Sequence, residues 1–171
     1  MSLEYMQQES RQEIITEQDI ISTYPKRNQE ISLTYLKYKE LKEKNQGLGY
    51  KKLSKLLNKP LHTTRYWHHS SAMPEPIRTV NWLKDVGVMP LEPNNKKLPL
   101  IARVCGATFG DGGIFANLNG IFLSSAELEA VEEFGEDLKK IFGEEIEKNS
   151  RIIEAGEYGH SCVIKTQIEI S

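Results

Sequence analysis

Between residues 87 and 99 the chain places three prolines, Pro90, Pro93 and Pro99, together with the run Asn94-Asn95-Lys96-Lys97. No helix or strand runs through such a stretch, because each proline removes a backbone donor and pushes the residue before it out of the helical region. The stretch therefore splits 171 residues into two parts, each of which has to bury a core of its own. The hydrophobic pattern changes across it. Ahead of it, apolar residues recur at helical spacing; beyond it, short strand-like runs alternate with helices. The expected class is α+β with an all-helical first part. The expected divisions are a helical extension (1–27), a helical domain (28–89), a linker (90–99) and a second domain (100–171).

Residues 4–22 read as a polar helix with a thin apolar seam of Ile14, Ile15, Ile20 and Ile21, closed by Tyr24-Pro25. A second helix, 28–44, carries a broad stripe of Ile31, Leu33, Tyr35, Leu36, Tyr38 and Leu41. The glycines Gly47 and Gly49 stop it. Short helices are expected at 50–58, 61–69 and 76–86.

Two of these short helices have a definite spacing. From Leu53, Leu57 follows at +4, the turn Asn58-Lys59-Pro60 comes next, Thr63 and Thr64 lie at +10 and +11, and Trp67 at +14. A helix-turn-helix needs apolar or small residues at these offsets, because there the first helix packs across the second. Pro60 sits where a missing N–H costs nothing. The outward face of the second helix then carries His62, Arg65, Tyr66, His68 and His69, which can reach bases or phosphates. Lys51, Lys52, Lys55 and Lys59 would meet the phosphate backbone. The stretch resembles the helix-turn-helix of small prokaryotic DNA-binding proteins, with Asn58 where a glycine is common and Thr64 where Val or Ile is common.

Charge is distributed in the same sense. Residues 1–23 carry net −4, residues 24–99 net +9 and residues 100–171 net −7, within an overall −2. A basic middle between two acidic ends points to a polyanionic partner, although lysine-rich helices are also simply soluble.

Beyond the linker, 100–109 reads as an apolar helix ending in Gly110-Asp111-Gly112-Gly113. Strands at 114–118 and 121–123 flank the hairpin signal Asn119-Gly120, and a helix capped by Ser125 runs to Phe142 with Gly143 past its end. A second hairpin is expected at 151–155 and 161–170, around a turn at Ala155-Gly156-Glu157-Tyr158-Gly159. The string Val104-Cys105-Gly106-Ala107-Thr108-Phe109-Gly110-Asp111-Gly112 resembles the LAGLIDADG motif of homing endonucleases, with Phe109 in place of the motif's first aspartate. The resemblance covers about 70 residues and implies one LAGLIDADG-type αββαββ unit. It further implies close helix packing through Gly106 and Gly110, a catalytic and metal-binding Asp111, and Mg²⁺-dependent cleavage of double-stranded DNA. Because one aspartate is half of such a site, it implies a homodimer, or a second repeat beyond Ser171 in a longer gene product. Lys165 is the nearby basic candidate, equally readable as a strand surface lysine.

A second reading stays open: a non-catalytic helix-turn-helix transcriptional regulator that uses the endonuclease-like fold for dimerisation or docking. The acidic second part favours it, since net −7 repels phosphate.

Other residues carry blander expectations. Cys105 and Cys162 lack metal-ligand spacing and read as small core residues, and His62, His68, His69 and His160 lack zinc spacing. Ser124 and Ser125 read as helix-start residues. Glu127, Glu129, Glu132, Glu133, Glu136 and Asp137 read as one solvated helix face. No apolar run reaches the ~20 residues of a membrane span and no secretory h-region is visible, so a cytoplasmic, nucleoid-associated protein is expected.

Overall fold

The computed structural model describes residues 13–116, 120–154 and 160–165. Several expectations lie outside them: residues 4–12 of the first helix, Leu118 and Asn119 of the first hairpin, the turn 155–159, and the end of the last strand from residue 166. The same holds for the side chains of His160, Cys162 and Lys165. The chain is α+β and forms two compact units, one spanning 13–85 and the other beginning at Val86. Among the described residues no helix is long and apolar enough to cross a membrane.

The first unit consists of α1 (Glu17–Ser22), α2 (Lys26–Lys44), α3 (Tyr50–Leu57), α4 (Leu61–His69) and α5 (Glu75–Asp85). The helix expected over 4–22 starts, within the described residues, only at Glu17. Thr16 sets that start: its hydroxyl accepts from the Asp19 N–H at 3.2 Å, and the Asp19 carboxylate accepts from the Thr16 N–H at 2.8 Å. These bonds hold the Asp19 carboxyl below its ordinary range. Ile21 then enters a core with Tyr35, Tyr38, Leu53, Leu57, Trp67, Ile77 and Val80. Trp67 is its hub: the Tyr35 ring meets it edge-on at 5.3 Å and the Tyr38 ring lies 5.6 Å away. The α2 stripe is narrower than the sequence suggested. Tyr35 and Tyr38 are buried with Ser32, whereas Ile31, Leu33 and Leu36 stay in contact with water.

The second unit consists of α6 (Leu98–Gly110), β1 (Gly112–Ile114), β2 (Gly120–Ser125), α7 (Leu128–Phe142), a 3₁₀ turn (Glu144–Asn149), β3 (Ser150–Glu154) and β4 (His160–Lys165). The strands form one antiparallel sheet in the order β1-β2-β4-β3, with Leu123 opposite Gly112 on one side and Cys162 on the other. Val131, Phe134, Leu138 and Ile141 recur at helical spacing along α7 and are all buried, with Val104, Leu123 and Ile146. Ser125 ends β2 rather than capping α7: its hydroxyl accepts from the Glu127 N–H at 3.1 Å, and Glu127 is the N-cap.

Residues 90–99 are tied down. Leu91 is buried. The Asn95 amide donates to the carbonyls of Val88 and Pro90, and its oxygen accepts from the Lys97 N–H. The Lys97 ammonium donates to the carbonyls of Val86 and Ile141. Two further expectations are corrected here. Asp137 is not part of a solvated face; it is 1% exposed and takes a bidentate pair from Arg103 on α6, which also bonds Glu133. Cys105 is exposed, not a core residue.

Candidate nucleic-acid interface

The offsets read from Leu53 are realised in three dimensions. Leu53, Leu57, Thr64 and Trp67 are all buried, so α3 and α4 pack through them. The turn between the helices is held at three points. Asn58 adopts a left-handed conformation, φ 49° and ψ 47°, which explains why this position favours glycine and why an asparagine serves. The Lys59 N–H donates to the Ser54 carbonyl at 3.1 Å, and the Ser54 hydroxyl donates to the Lys59 carbonyl at 2.7 Å. Pro60 caps α4 from outside, with extended ψ.

This packing sorts the expected contact residues. Lys51, Lys52 and Lys55 are exposed on α3, and Lys59 is half-buried in the turn. On α4, His62, Arg65, Tyr66 and His69 are exposed and line one open recess of about 410 Å³, together with Ser70. His68 does not join them. It is half-buried, with its Nδ1 3.4 Å from the Tyr38 hydroxyl and its ring 5.9 Å from that of Tyr50. Burial first, then the Lys42 ammonium and His69, hold its imidazole below the usual histidine range. Tyr50, which the sequence reading left out, also stacks edge-on to His69 at 5.3 Å. Its place at the start of α3, after Gly49, was the signal available.

The electrostatics separate this face from the rest of the molecule. Residues 45–74 contain five Lys and Arg, three His and no acid. Elsewhere acids accompany the cations and several pair: Lys44 with Glu40, Lys84 with Glu17, Arg103 with Asp137 and Glu133, and Lys139 with Glu144 and Glu147. None of Lys51, Lys52, Lys55, Lys59 or Arg65 has such a partner among the described residues.

The segment expected to carry catalysis forms the end of α6 and the start of β1. Asp111 is the exposed C-cap of α6, its N–H bonded to the Ala107 carbonyl. Gly112 and Gly113 are where the backbone is crowded. A Cβ on Gly112 would lie 2.3 Å from the Phe122 carbonyl oxygen, and one on Gly113 would lie 2.8 Å from the Phe122 ring. Gly106 and Gly110, expected to pack against a second such helix, face open space among the described residues, where a Cβ on either meets nothing within 4 Å. Among the described residues no group of three His, Cys, Asp or Glu could hold a metal.

No protein-family model matches the chain, and no solved structure matches it. It is 34% identical over 92 residues to the DNA-directed RNA polymerase subunit Rpo1N of Methanocaldococcus jannaschii, a match covering 52% of this chain and 7% of that protein. That match overturns the homing-endonuclease assignment: the similar protein is a polymerase subunit, and no family model supports the LAGLIDADG reading of 104–112. The expected cleavage of double-stranded DNA falls with it. What the chain is similar to, over half its length, is part of a transcription enzyme.

Proposed function

We propose that this is a transcription-related protein whose helix-turn-helix, α3 and α4, binds double-stranded DNA. The observation that carries the reading is the acid-free span 45–74, whose lysines and Arg65 have no ion-pair partners within the described chain. Cations left unpaired on one face meet phosphates at little cost, since no internal bond has to break first. In this reading Lys51, Lys52, Lys55 and Lys59 position the duplex, and α4 enters the major groove with His62, Arg65, Tyr66 and His69. Similarity to a subunit of a DNA-directed RNA polymerase supports a place in transcription. Titration of the full chain against random-sequence duplex at several salt concentrations tests it. Four phosphate contacts give a log–log slope of about −4; a slope near zero would refute the reading.

We further propose that two copies pair over the outer face of α6. Phe109 is 81% exposed there, beside Cys105, Gly106 and Gly110, which are also exposed. Gly106→Leu has room in the single chain and should lower association in sedimentation without unfolding the protein. A wild type that stays monomeric at all concentrations would remove the proposal.

A further inference from the structure

The side chains of α4 narrow what it can read, given the DNA-binding reading above, on which this inference rests. Five of its outward residues fall in two adjacent columns: His62, Tyr66 and His69 in one, Leu61 and Arg65 in the other. Base edges are discriminated in the major groove by a short list of partners. Adenine is matched by Asn or Gln, the cytosine amino group by a carboxylate, guanine by Arg or Lys, and the thymine methyl group by apolar contact. Helix α4 contains no Asn, Gln, Asp or Glu, and the nearest acid along the chain after it is Glu75. Ser70 adds no free donor at the edge of the recess, because its hydroxyl donates to the Tyr66 carbonyl at 2.6 Å and accepts from the Ala72 N–H at 3.2 Å. What remains is Arg65, without an ion-pair partner among the described residues, and a recess walled by the rings of His62, Tyr66 and His69, whose polar atoms sit at the ring edges and whose carbons form most of its surface. Tyr66 is 62% exposed and Leu61 47% exposed, although both are large apolar side chains on a helix whose other face is fully packed.

We infer that α4 reads a thymine next to a guanine. Arg65 donates to O6 and N7 of the guanine. The 5-methyl group of the neighbouring thymine enters the recess against the Tyr66 ring and the ring carbons of His62 and His69. Adjacent columns on the helix serve adjacent base pairs.

The test uses the full chain and modified DNA, so that no variant has to fold for it to be informative. Selection from a random duplex pool gives the preferred site. Each thymine in that site is then replaced singly by deoxyuridine, which removes only the methyl group. One replacement should weaken binding about fourfold, the worth of one buried methyl group, and the same replacement should cost nothing in Tyr66→Ala. Substituting 7-deazaguanine beside that thymine should weaken the wild type and leave Arg65→Ala unaffected. A selected, salt-dependent site in which every deoxyuridine is tolerated would overturn this inference and leave the DNA-binding reading standing. Failure to select any duplex would defeat both. Binding to the single strand as tight as to the duplex would mean that Tyr66 stacks on bases, and would also overturn it.

Discussion

The Ser54 hydroxyl donates to the Lys59 carbonyl at 2.7 Å, closing the turn between α3 and α4 from its buried side. Ser54 is 9% exposed, so the carbonyl it satisfies has limited access to water. Ser54→Ala should cost about 1–2 kcal/mol of stability, read as a lower denaturant midpoint with an unchanged slope. Asn58→Gly should be neutral or gain a few tenths of a kcal/mol, and Asn58→Val should lose about 1–2 kcal/mol, because a β-branched residue resists φ 49°. Equal behaviour of the glycine and valine variants would mean that the left-handed turn does not persist in solution.

Arg65 and Lys52 should fail in different ways. Arg65→Ala should cost ~1–3 kcal/mol on a selected sequence and little on random DNA. Lys52→Ala should weaken all sequences alike and flatten the salt dependence by about one unit. Competition titrations with specific and random duplexes separate the two; an Arg65→Ala loss equal on both would place α4 outside the groove.

His68 makes the first unit sensitive to acid. Its imidazole is held below its ordinary value by burial, Lys42 and His69, so folding favours the neutral form. The stability it contributes is present above the unfolded histidine value of about 6.5 and is lost as pH falls through the lowered folded value. Urea midpoints at about pH 7.5 and about pH 5.5 should therefore differ more in the wild type than in His68→Gln. A drop of the same size in both proteins would show that His68 is not the group responsible.

Asp137 should be the costliest acid to remove from α7. Its side chain is 2% exposed and is held by an Arg103 that is half in water, so the arginine can recover part of its solvation. Asp137→Ala should lose about 2–4 kcal/mol, while Glu136→Ala on the exposed face should stay within about 0.5 kcal/mol. Thermal denaturation of the two variants makes the comparison, and equal melting temperatures would refute the burial.

Asp137 also shows where sequence reading runs out. It stands among five acids of the same stretch and shares their helical spacing; what buries it is Arg103, on a different helix. The helix-turn-helix was legible because Leu53, Leu57, Thr64 and Trp67 encode their contacts in local spacing, and α4 packs on α3 immediately after the turn. The glycines crowded within the chain were not legible. Gly106 and Gly110 have the regular spacing, but the crowding falls on Gly112 and Gly113, because β2 brings Phe122 back across them. The inward placement of His68 depends on Tyr38, thirty positions earlier, and no periodicity in α4 announces it. The family resemblance was anchored on the nine residues 104–112 and carried over about 70 by the order of elements, and it is overturned by a 34% match over 92 residues to a polymerase subunit.

Lys97 has a practical consequence for anyone who wishes to cut or fuse this protein. Its ammonium grips the Val86 and Ile141 carbonyls at once, and Asn95 clasps Val88 and Pro90 beside it. The proline-rich stretch is thus a buckle rather than a tether, and inserted residues there would pry open the end of α7. A junction for grafting either unit belongs between Asp85 and Val86, just ahead of the buckle.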